Sequence, residues 1–261
     1  MTTSTRQRAQ QLLLIAVPQE KAAAVQRFAA GPLAVDPAEI IVPVAGIPGR
    51  AAKPVLVHPS ELKTRAVGTR EGRASLIHAL AHIEANAINL ALDLIWRFGG
   101  MPERFYLDWL QVAREEALHF QLLLGHLNEI GFDYGDFPAH DGLWNMAEKT
   151  KGTLLARLAL VPRTLEARGL DASPLIRNRL ISVGDRKGAA LLDIILRDEI
   201  GHVAVGNRWY RHLCALDGLD PLATYADLAR TYGAPKLKGP FNLEARRAAG
   251  FDEAELAQLC A

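Results

Sequence analysis

The chain carries a helical repeat of apolar and polar positions over more than half of its length. Between residues 72 and 217 it is rich in Ala, Leu, Arg and Glu, and apolar residues recur every three or four positions. Two glycine-centred breaks, Gly99-Gly100 and Gly184-Asp185, and a polar loop over 131–142 interrupt this repeat. Short connections of this kind are typical of an antiparallel four-helix bundle. The four helices are predicted over residues 72–98, 102–130, 142–183 and 185–216.

The segment before the repeat divides into helices and a proline-rich stretch. Residues 5–29 are predicted to be helical with a break at Pro18, whereas residues 31–60 contain six prolines. Prolines in that number exclude a long helix and a paired central strand, so we expect an extended arm. The arm is apolar enough that burial against the rest of the chain is favoured over a flexible linker. Its apolar residues are Ile40, Ile41, Val42, Val44, Val55, Leu56 and Val57.

The segment after the repeat is predicted to hold two short helices, over 221–232 and 243–260, with a loop between them that is a candidate lid. The basic residues Lys236, Lys238, Arg246 and Arg247 are expected to be solvated or, in the alternative, to bind an anionic substrate or RNA. The predicted fold class is therefore all-α. Its predicted parts are N-terminal helices with the proline-rich arm over 1–71, the bundle over 72–217 and a C-terminal extension over 218–261.

The composition limits the function classes. With 30 Lys and Arg against 29 Asp and Glu, the formal net charge is +1, which excludes nucleic-acid binding through bulk charge. Two cysteines, Cys214 and Cys260, are too few for a disulfide scaffold or a four-cysteine metal site. No stretch reaches the roughly 18 consecutive apolar residues of a membrane span, and the apolar run 12–17 is too short for a secretory signal. We therefore expect a cytoplasmic protein without a membrane partner.

Acidic and histidine side chains fall on the apolar stripes of all four predicted helices. A buried carboxylate is costly without a partner, and a metal cation is a partner that carboxylates and imidazoles share. Iron or manganese suits such a mixed set of ligands, and zinc is a further option. The side chains that the helical period turns inward are Glu84 in the first helix, Glu116 and His119 in the second, Glu166 in the third, and Glu199 and His202 in the fourth.

The spacing of these residues repeats along the chain. Glu116-Ala-Leu-His119 and Glu199-Ile-Gly-His202 are both Glu-x-x-His, which projects two ligands from one helical face. Glu84 precedes Glu116 by 32 residues and Glu166 precedes Glu199 by 33, with a glycine break near the middle of each interval. The two halves therefore have the pattern of a duplicated helix hairpin. Glu148 competes with Glu166 on the third helix, but its spacing to Glu199 breaks the repeat.

This order of ligands over four helices resembles the ferritin-like di-iron carboxylate superfamily across about residues 72–217. More closely, the segments His82–Ile88, Leu165–Asp171 and Arg197–His202 are similar to a bacterial ferritin-like family of unassigned function. Glu166-Ala-Arg168 is also similar to a metal-ligand segment of the tRNA-(2-methylthio-N6-isopentenyl)adenosine hydroxylases. The resemblance implies a ferritin-like antiparallel four-helix bundle with two iron ions, or with manganese or a mixed metal pair. The implied ligands are Glu84, Glu116, His119, Glu166, Glu199 and His202.

Three residues beside these ligands are candidates for positioning them. Arg114-Glu115-Glu116 repeats as Arg197-Asp198-Glu199, so Glu115 and Asp198 are candidate acceptors for the N–H of a ligand histidine. His82 is a third candidate because it lies two residues before Glu84.

The implied site points to oxygen chemistry. A di-iron site binds O2 or peroxide, and the surrounding protein decides the outcome. We expect a di-iron oxidoreductase, an O2-dependent oxidase or monooxygenase of an unidentified small molecule. Its electrons would come from an external donor, because the chain has no rubredoxin-type cysteines. The proline-rich arm and the loop 236–241 favour this interpretation, since they can shape the mouth of a pocket.

Other functions stay open beside this one. A ferroxidase, peroxide scavenger or iron-handling protein is the first alternative, and a tRNA-modifying hydroxylase with an RNA substrate is the second. A bundle that holds metals only for stability is a third, and the sequence also leaves a homodimer open.

Overall fold

The computed structural model describes residues 3–260 and shows an all-α protein, which confirms the predicted fold class. Within that range there is no β-strand, and one isolated backbone bridge joins Leu56 and Ala139. A short 3-10 turn lies at Pro59–Glu61, and a π-helical segment at Val161–Glu166 separates α6 from α7. The α-helices are α1 (Thr5–Leu13), α2 (Pro18–Ala29), α3 (Arg70–Arg97), α4 (Glu103–Glu129), α5 (Gly142–Lys149), α6 (Leu154–Leu160), α7 (Arg168–Ser182), α8 (Arg186–Leu216), α9 (Pro221–Thr231), α10 (Leu243–Ala248) and α11 (Glu253–Cys260).

The chain forms two compact units, the first ending at Trp144 and the second beginning at Asn145. The division of the chain at residues 72 and 218 into three parts stays a prediction. None of the helices in the described range is long and apolar enough to cross a membrane.

The first unit is organised around the long antiparallel pair α3 and α4. Thr69 caps α3 by accepting a hydrogen bond from the Gly72 backbone N–H at 3.0 Å. The pair turns back at Gly100, whose φ of +77° is a conformation that glycine adopts without strain. Helix α1 packs on α3 and α2 packs on α4. The observed ends of α3 and α4 lie within two residues of the predicted ones.

The proline-rich arm is extended, as predicted, and α1 holds it in place. The buried guanidinium of Arg6 donates to the backbone oxygens of Glu39 at 2.6 Å and of Trp96 at 2.9 Å, so it joins the arm to the last turn of α3. Gly49 brings the arm back onto α1, and a Cβ at this position would lie 2.2 Å from the Leu14 carbonyl oxygen. Backbone contacts therefore fix the course of the arm.

The expectation that the arm buries its apolar side chains is wrong for most of them. Ile40 is 93% exposed and Val42 is 74% exposed, and three further apolar residues are also exposed. The reason is that the arm is fastened through backbone groups, such as the Glu39 carbonyl to Arg6 and the Gly49 N–H to the Leu13 carbonyl, which do not require its side chains to be buried. The three are Val44, Val55 and Leu56.

The second unit is organised around the antiparallel pair α7 and α8. Asp185 begins α8 by accepting a hydrogen bond from the Gly188 N–H at 2.8 Å. Helix α6 and the π-helical segment also pack on α8. A Cβ at Gly206 would lie only 2.6 Å from the Pro162 side chain, so this glycine lets the π-helical segment approach α8 closely.

The third predicted helical segment, 142–183, is not a single helix. The structure divides this range into α5, α6, the π-helical segment and α7. Helix α5 ends at Lys149, just before Gly152, because glycine disfavours the interior of a helix. The π-helical segment contains Pro162, which lacks the N–H needed for regular α-helical bonding. The final predicted segment is also divided, into α10 and α11.

Candidate metal centre

Helices α3 and α4 bring Glu84, Glu116 and His119 together inside the first unit. Their exposed fractions are 3%, 1% and 0%, so the group is closed off from water. The Nδ1 atom of His119 lies 3.4 Å from Oε2 of Glu84 and 3.5 Å from Oε2 of Glu116. Ligand atoms of the three residues lie within 4.8 Å of one another. The helical period had placed these residues on facing stripes, and the structure puts them in one cluster.

The close approach of two buried carboxyl groups and an imidazole shifts pKa values in the cluster. Burial, and then the charge of Glu116, raise the pKa of Glu84 well above its usual range. Burial by itself lowers the pKa of His119, but the nearby carboxylates of Glu116 and Glu84 outweigh it and raise the value to about 11. A protonated His119 offsets the charge of one carboxylate, and in this buried site a second carboxylate is disfavoured beside it, which is why the pKa of Glu84 is raised.

The donor set of the cluster fits a divalent first-row metal. Two carboxylates and one imidazole are ligand types that iron, manganese and zinc accept. A divalent cation would replace the His119 proton and neutralise both acids, because metal ligands bind in their deprotonated form. The buried cluster formed by Glu84, Glu116 and His119 could therefore hold a metal.

The second unit carries the related pair Glu199 and His202 on α8. Both are buried, with exposed fractions of 8% and 1%, and Nδ1 of His202 lies 3.9 Å from Oε1 of Glu199. Gly169 of α7 lies beside the acid, since a Cβ there would lie 3.9 Å from the carboxyl carbon of Glu199, at ordinary contact distance. Glu166 is the last residue of the π-helical segment and is half-buried. The three residues thus lie on elements that pack together in one unit.

The structure gives the three candidate positioning residues different surroundings. Glu115 accepts a hydrogen bond from Gln111 at 2.6 Å, and Asp198 accepts one from Arg197 at 2.8 Å. Their roles as acceptors for a ligand histidine stay predictions.

His82 contacts a loop on the outer face of α3. Its Nδ1 lies 2.8 Å from the Tyr134 hydroxyl, and its Nε2 lies 3.2 Å from the His140 carbonyl oxygen. Burial is the main cause that lowers the pKa of His82 to about 4, so the ring is neutral at pH 7. A neutral ring that donates from Nε2 to this carbonyl accepts the Tyr134 hydroxyl hydrogen at Nδ1. The ring therefore connects α3 to the loop 131–142.

The buried arginines Arg163 and Arg246 were not recognised in the sequence. Arg163 lies in the π-helical segment, where it donates to Asn207 at 2.5 Å and to Glu255, and its guanidinium lies 4.2 Å from the centre of the Tyr210 ring. The sequence showed only a charged residue after Pro162, because its partners are 44 and 92 residues away.

Arg246 is the second of these arginines, and the expectation that it is solvated is wrong. It is 1% exposed and donates to both carboxylate oxygens of Asp171, at 3.0 and 2.7 Å. The other three basic residues are exposed, as expected for solvated side chains. They are Lys236, Lys238 and Arg247.

Comparison of the sequence with known proteins assigns the chain to a family. A family model described as "Protein of unknown function (DUF455)" matches residues 14–257, a range that contains all six implied ligands. An "Uncharacterized protein" of Haemophilus influenzae (strain ATCC 51907 / DSM 11121 / KW20 / Rd) is 48% identical over 223 residues, which is 83% of this chain and 77% of that protein. No solved structure matches the chain significantly. The chain belongs to the DUF455 family of proteins of unknown function.

Proposed function

We propose that this protein is a ferritin-like metalloprotein that holds a pair of iron ions and uses O2 to oxidise an organic substrate. The observation that carries the proposal is the buried cluster of Glu84, Glu116 and His119. Two acids and a histidine crowded together in a helical core are unfavourable for stability alone, since charged side chains are rarely fully buried without a partner. Their presence is accounted for by a cation.

The internal repeat of the sequence supports a second set of ligands. Glu199 and His202 correspond to Glu116 and His119, and Glu166 corresponds to Glu84. Di-iron carboxylate proteins take one Glu from each of two helices and a Glu-x-x-His from each of two others. In the sequence, each half of the chain supplies one Glu and one Glu-x-x-His, which is half of that set.

The metal pair would supply the capacity to activate O2 with electrons from an external donor. The chain's own residues bind and orient it. The carboxylates of Glu84 and Glu116 neutralise the cationic charge, and His119 gives up its proton when its ring becomes a ligand. The surrounding apolar side chains of α3 and α4 keep bulk water away from the cluster.

An apolar cleft in the second unit favours an organic substrate over iron storage. It has a volume of about 430 Å³, within the range of about 300–1,000 Å³ that is usual for small-molecule sites. Arg163 forms part of its wall and belongs to the π-helical segment that ends at Glu166. Segments of π-helix occur frequently at functional sites. Apolar residues of the lining are Leu222, Tyr225, Leu237, Phe251 and Leu259.

Metal analysis tests the proposal directly. Full-length protein purified without chelator is analysed for transition metals, then loaded with ferrous iron under anaerobic conditions and exposed to O2 while its absorbance is recorded. We expect about two irons per chain and an absorbance change that requires O2. Iron oxidation that continues without any organic substrate would support an iron-handling role instead. Failure to retain any transition metal after loading would overturn the proposal.

Glu166→Ala tests the proposed ligand that lies at the end of the π-helical segment. We expect this variant to retain fewer than two metals per chain, because one carboxylate of the dinuclear set is missing. Glu148→Ala is the matched control, since Glu148 is the other glutamate of the same predicted helix and pairs with Lys151 at 3.1 Å. Two metals retained by Glu166→Ala, with loss in Glu148→Ala, would move the assignment to Glu148.

A further inference from the structure

A small polar pocket lies in the first unit, on the face of α3 opposite Glu84. The start of α2, arm residues 49–54 and the α3 residues Asn86 and Asn89 form its walls, and we call it the arm pocket. Positions 86 and 89 are turned away from Glu84 by the helical period. The pocket offers about 70 Å³, which is room for several water molecules at about 10–15 Å³ each and so for one small ion.

Lys21 places a positive charge in the wall of the arm pocket. The residue is 3% exposed, and its ammonium donates to Asn89 Oδ1 at 2.5 Å and to the Leu13 carbonyl oxygen at 3.2 Å. An ammonium has three donors, so one remains for a ligand. Over residues 3–260, no carboxylate forms an ion pair with Lys21. A buried ammonium without a carboxylate is unfavourable, and a bound anion would relieve it.

Other groups around the pocket add to this positive charge. Arg50 and Lys53 line it from the arm, and Asp141 pairs with Arg50 at 2.5 Å. Three cations and one acid leave a net charge of two positive units. Helix α2 begins at Pro18 in the same wall without a side-chain cap, and the N-terminus of a helix attracts anions. Burial, and to a smaller extent the charge of Arg50, lower the pKa of Lys21 to about 7, so a bound anion would favour its charged form.

We propose that the arm pocket binds a phosphate group, either as inorganic phosphate or as the phosphate of a monoester. A phosphate group carries about −1.5 to −2 charge at pH 7 and offers strong acceptor oxygens, which matches the charge and the donors of the pocket. The pocket is too small for an organic body, so the rest of a monoester would extend past the exposed side chains of Arg50 and Lys53. This inference is independent of the metal centre.

Calorimetric titration with inorganic phosphate tests the proposal. The full chain is freed of metal by dialysis against a chelator, and chloride keeps the ionic strength constant. We expect one saturable site per chain, weakened by about tenfold or more in Lys21→Met and in Arg50→Gln, because each loses a charge-assisted hydrogen bond. Lys63→Met is the matched control at an exposed lysine. Absence of saturable binding, or equal binding by both pocket variants and the wild type, would overturn the proposal.

Two further readouts separate binding from a structural role and identify the source of the phosphate. Bound phosphate should raise the pKa of the Lys21 ammonium, which side-chain NMR measures. An unchanged pKa at saturation would contradict the site. Arg50→Gln keeps the test valid if the buried substitution disturbs folding, since Arg50 is exposed. Titration with β-glycerophosphate distinguishes the sources. Comparable affinity supports a monoester, and binding of inorganic phosphate alone supports the free ion.

Discussion

Glu116→Gln is expected to make the metal-free protein more stable and, in the same variant, to abolish the stabilisation that ferrous iron gives. The glutamine keeps the shape of the side chain but removes one of the two crowded charges beside His119. The charge of Glu116 is one cause of the raised pKa of Glu84, so its removal relieves a repulsion of about 1 kcal/mol, and His119 keeps Glu84 as its counter-charge. Iron at about 1,000 times its dissociation constant would stabilise the wild type by about 4 kcal/mol. Urea denaturation with chelator and with anaerobic iron measures both effects.

The opposite signs of the two effects make this variant informative. Glu103→Gln is the control, because it changes an exposed acid on the same helix. A residue needed only for packing would make the metal-free protein less stable when replaced. Loss of stability in chelator, together with an undiminished response to iron, would therefore contradict the role of Glu116 as a ligand.

The same cluster predicts how the stability of the metal-free wild type depends on pH. Because the pKa of Glu84 is raised in the folded chain, its contribution is complete below the usual glutamate value of about 4.3 and is lost as the pH rises. The raised pKa of His119 acts in the same direction, with stability present below about pH 6.5 and lost towards pH 11. The free energy of unfolding of the metal-free chain should therefore fall between about pH 5 and 9, and less steeply in Glu116→Gln.

Asp171→Asn is expected to cost about 3–5 kcal/mol of unfolding free energy, because it leaves the Arg246 guanidinium buried without its counter-charge. Both side chains of this pair are 1% exposed, and Asp171 also accepts hydrogen bonds from Arg168 and from the Asn242 backbone. The pair thus joins α7 to α10 and to the residue before it. Chemical denaturation of the metal-free chain measures the loss.

The matched control for this prediction is Asp193→Asn, which removes the acid from an exposed pair with Arg177. Solvent screens that pair, so we expect no resolvable change in the denaturation midpoint. A loss below about 1 kcal/mol in Asp171→Asn would show that water reaches Arg246 and compensates its charge.

The sequence predicted best where the apolar repeat and the helix ends agree. Helices α3, α4 and α8 begin and end within two residues of their predicted bounds, since caps such as Thr69 and Asp185 and the turn at Gly100 reinforce the repeat. The cluster of the first unit followed from the same period. Between 142 and 183 a proline such as Pro162 marks an interruption, but the π-helical geometry there depends on tertiary packing, such as the contact of Pro162 with Gly206.

The charged residues were harder to predict because their partners are distant in the sequence. Arg246 and Lys21 have the local appearance of surface residues, yet Asp171 lies 75 residues from the first and Asn89 lies 68 from the second. A helical period places side chains on faces but says nothing of which loop covers a face. For that reason the contact of His82 with Tyr134 was not foreseen.

The π-helical segment has a consequence for how this family tolerates changes in length. A π-turn accommodates one more residue than the α-helical turn it replaces, so Val161–Glu166 is a place where the helix has been widened. Deleting one residue there would let the segment return to regular α-helical geometry and would shift the residues of the widened turn, Glu166 among them, around the helix axis. Glu166 would then leave the face it now occupies, whereas a deletion in the loop 233–242 would only shorten a connection. Homologous chains should therefore vary in length in that loop while keeping the number of residues from Val161 to Glu199 fixed.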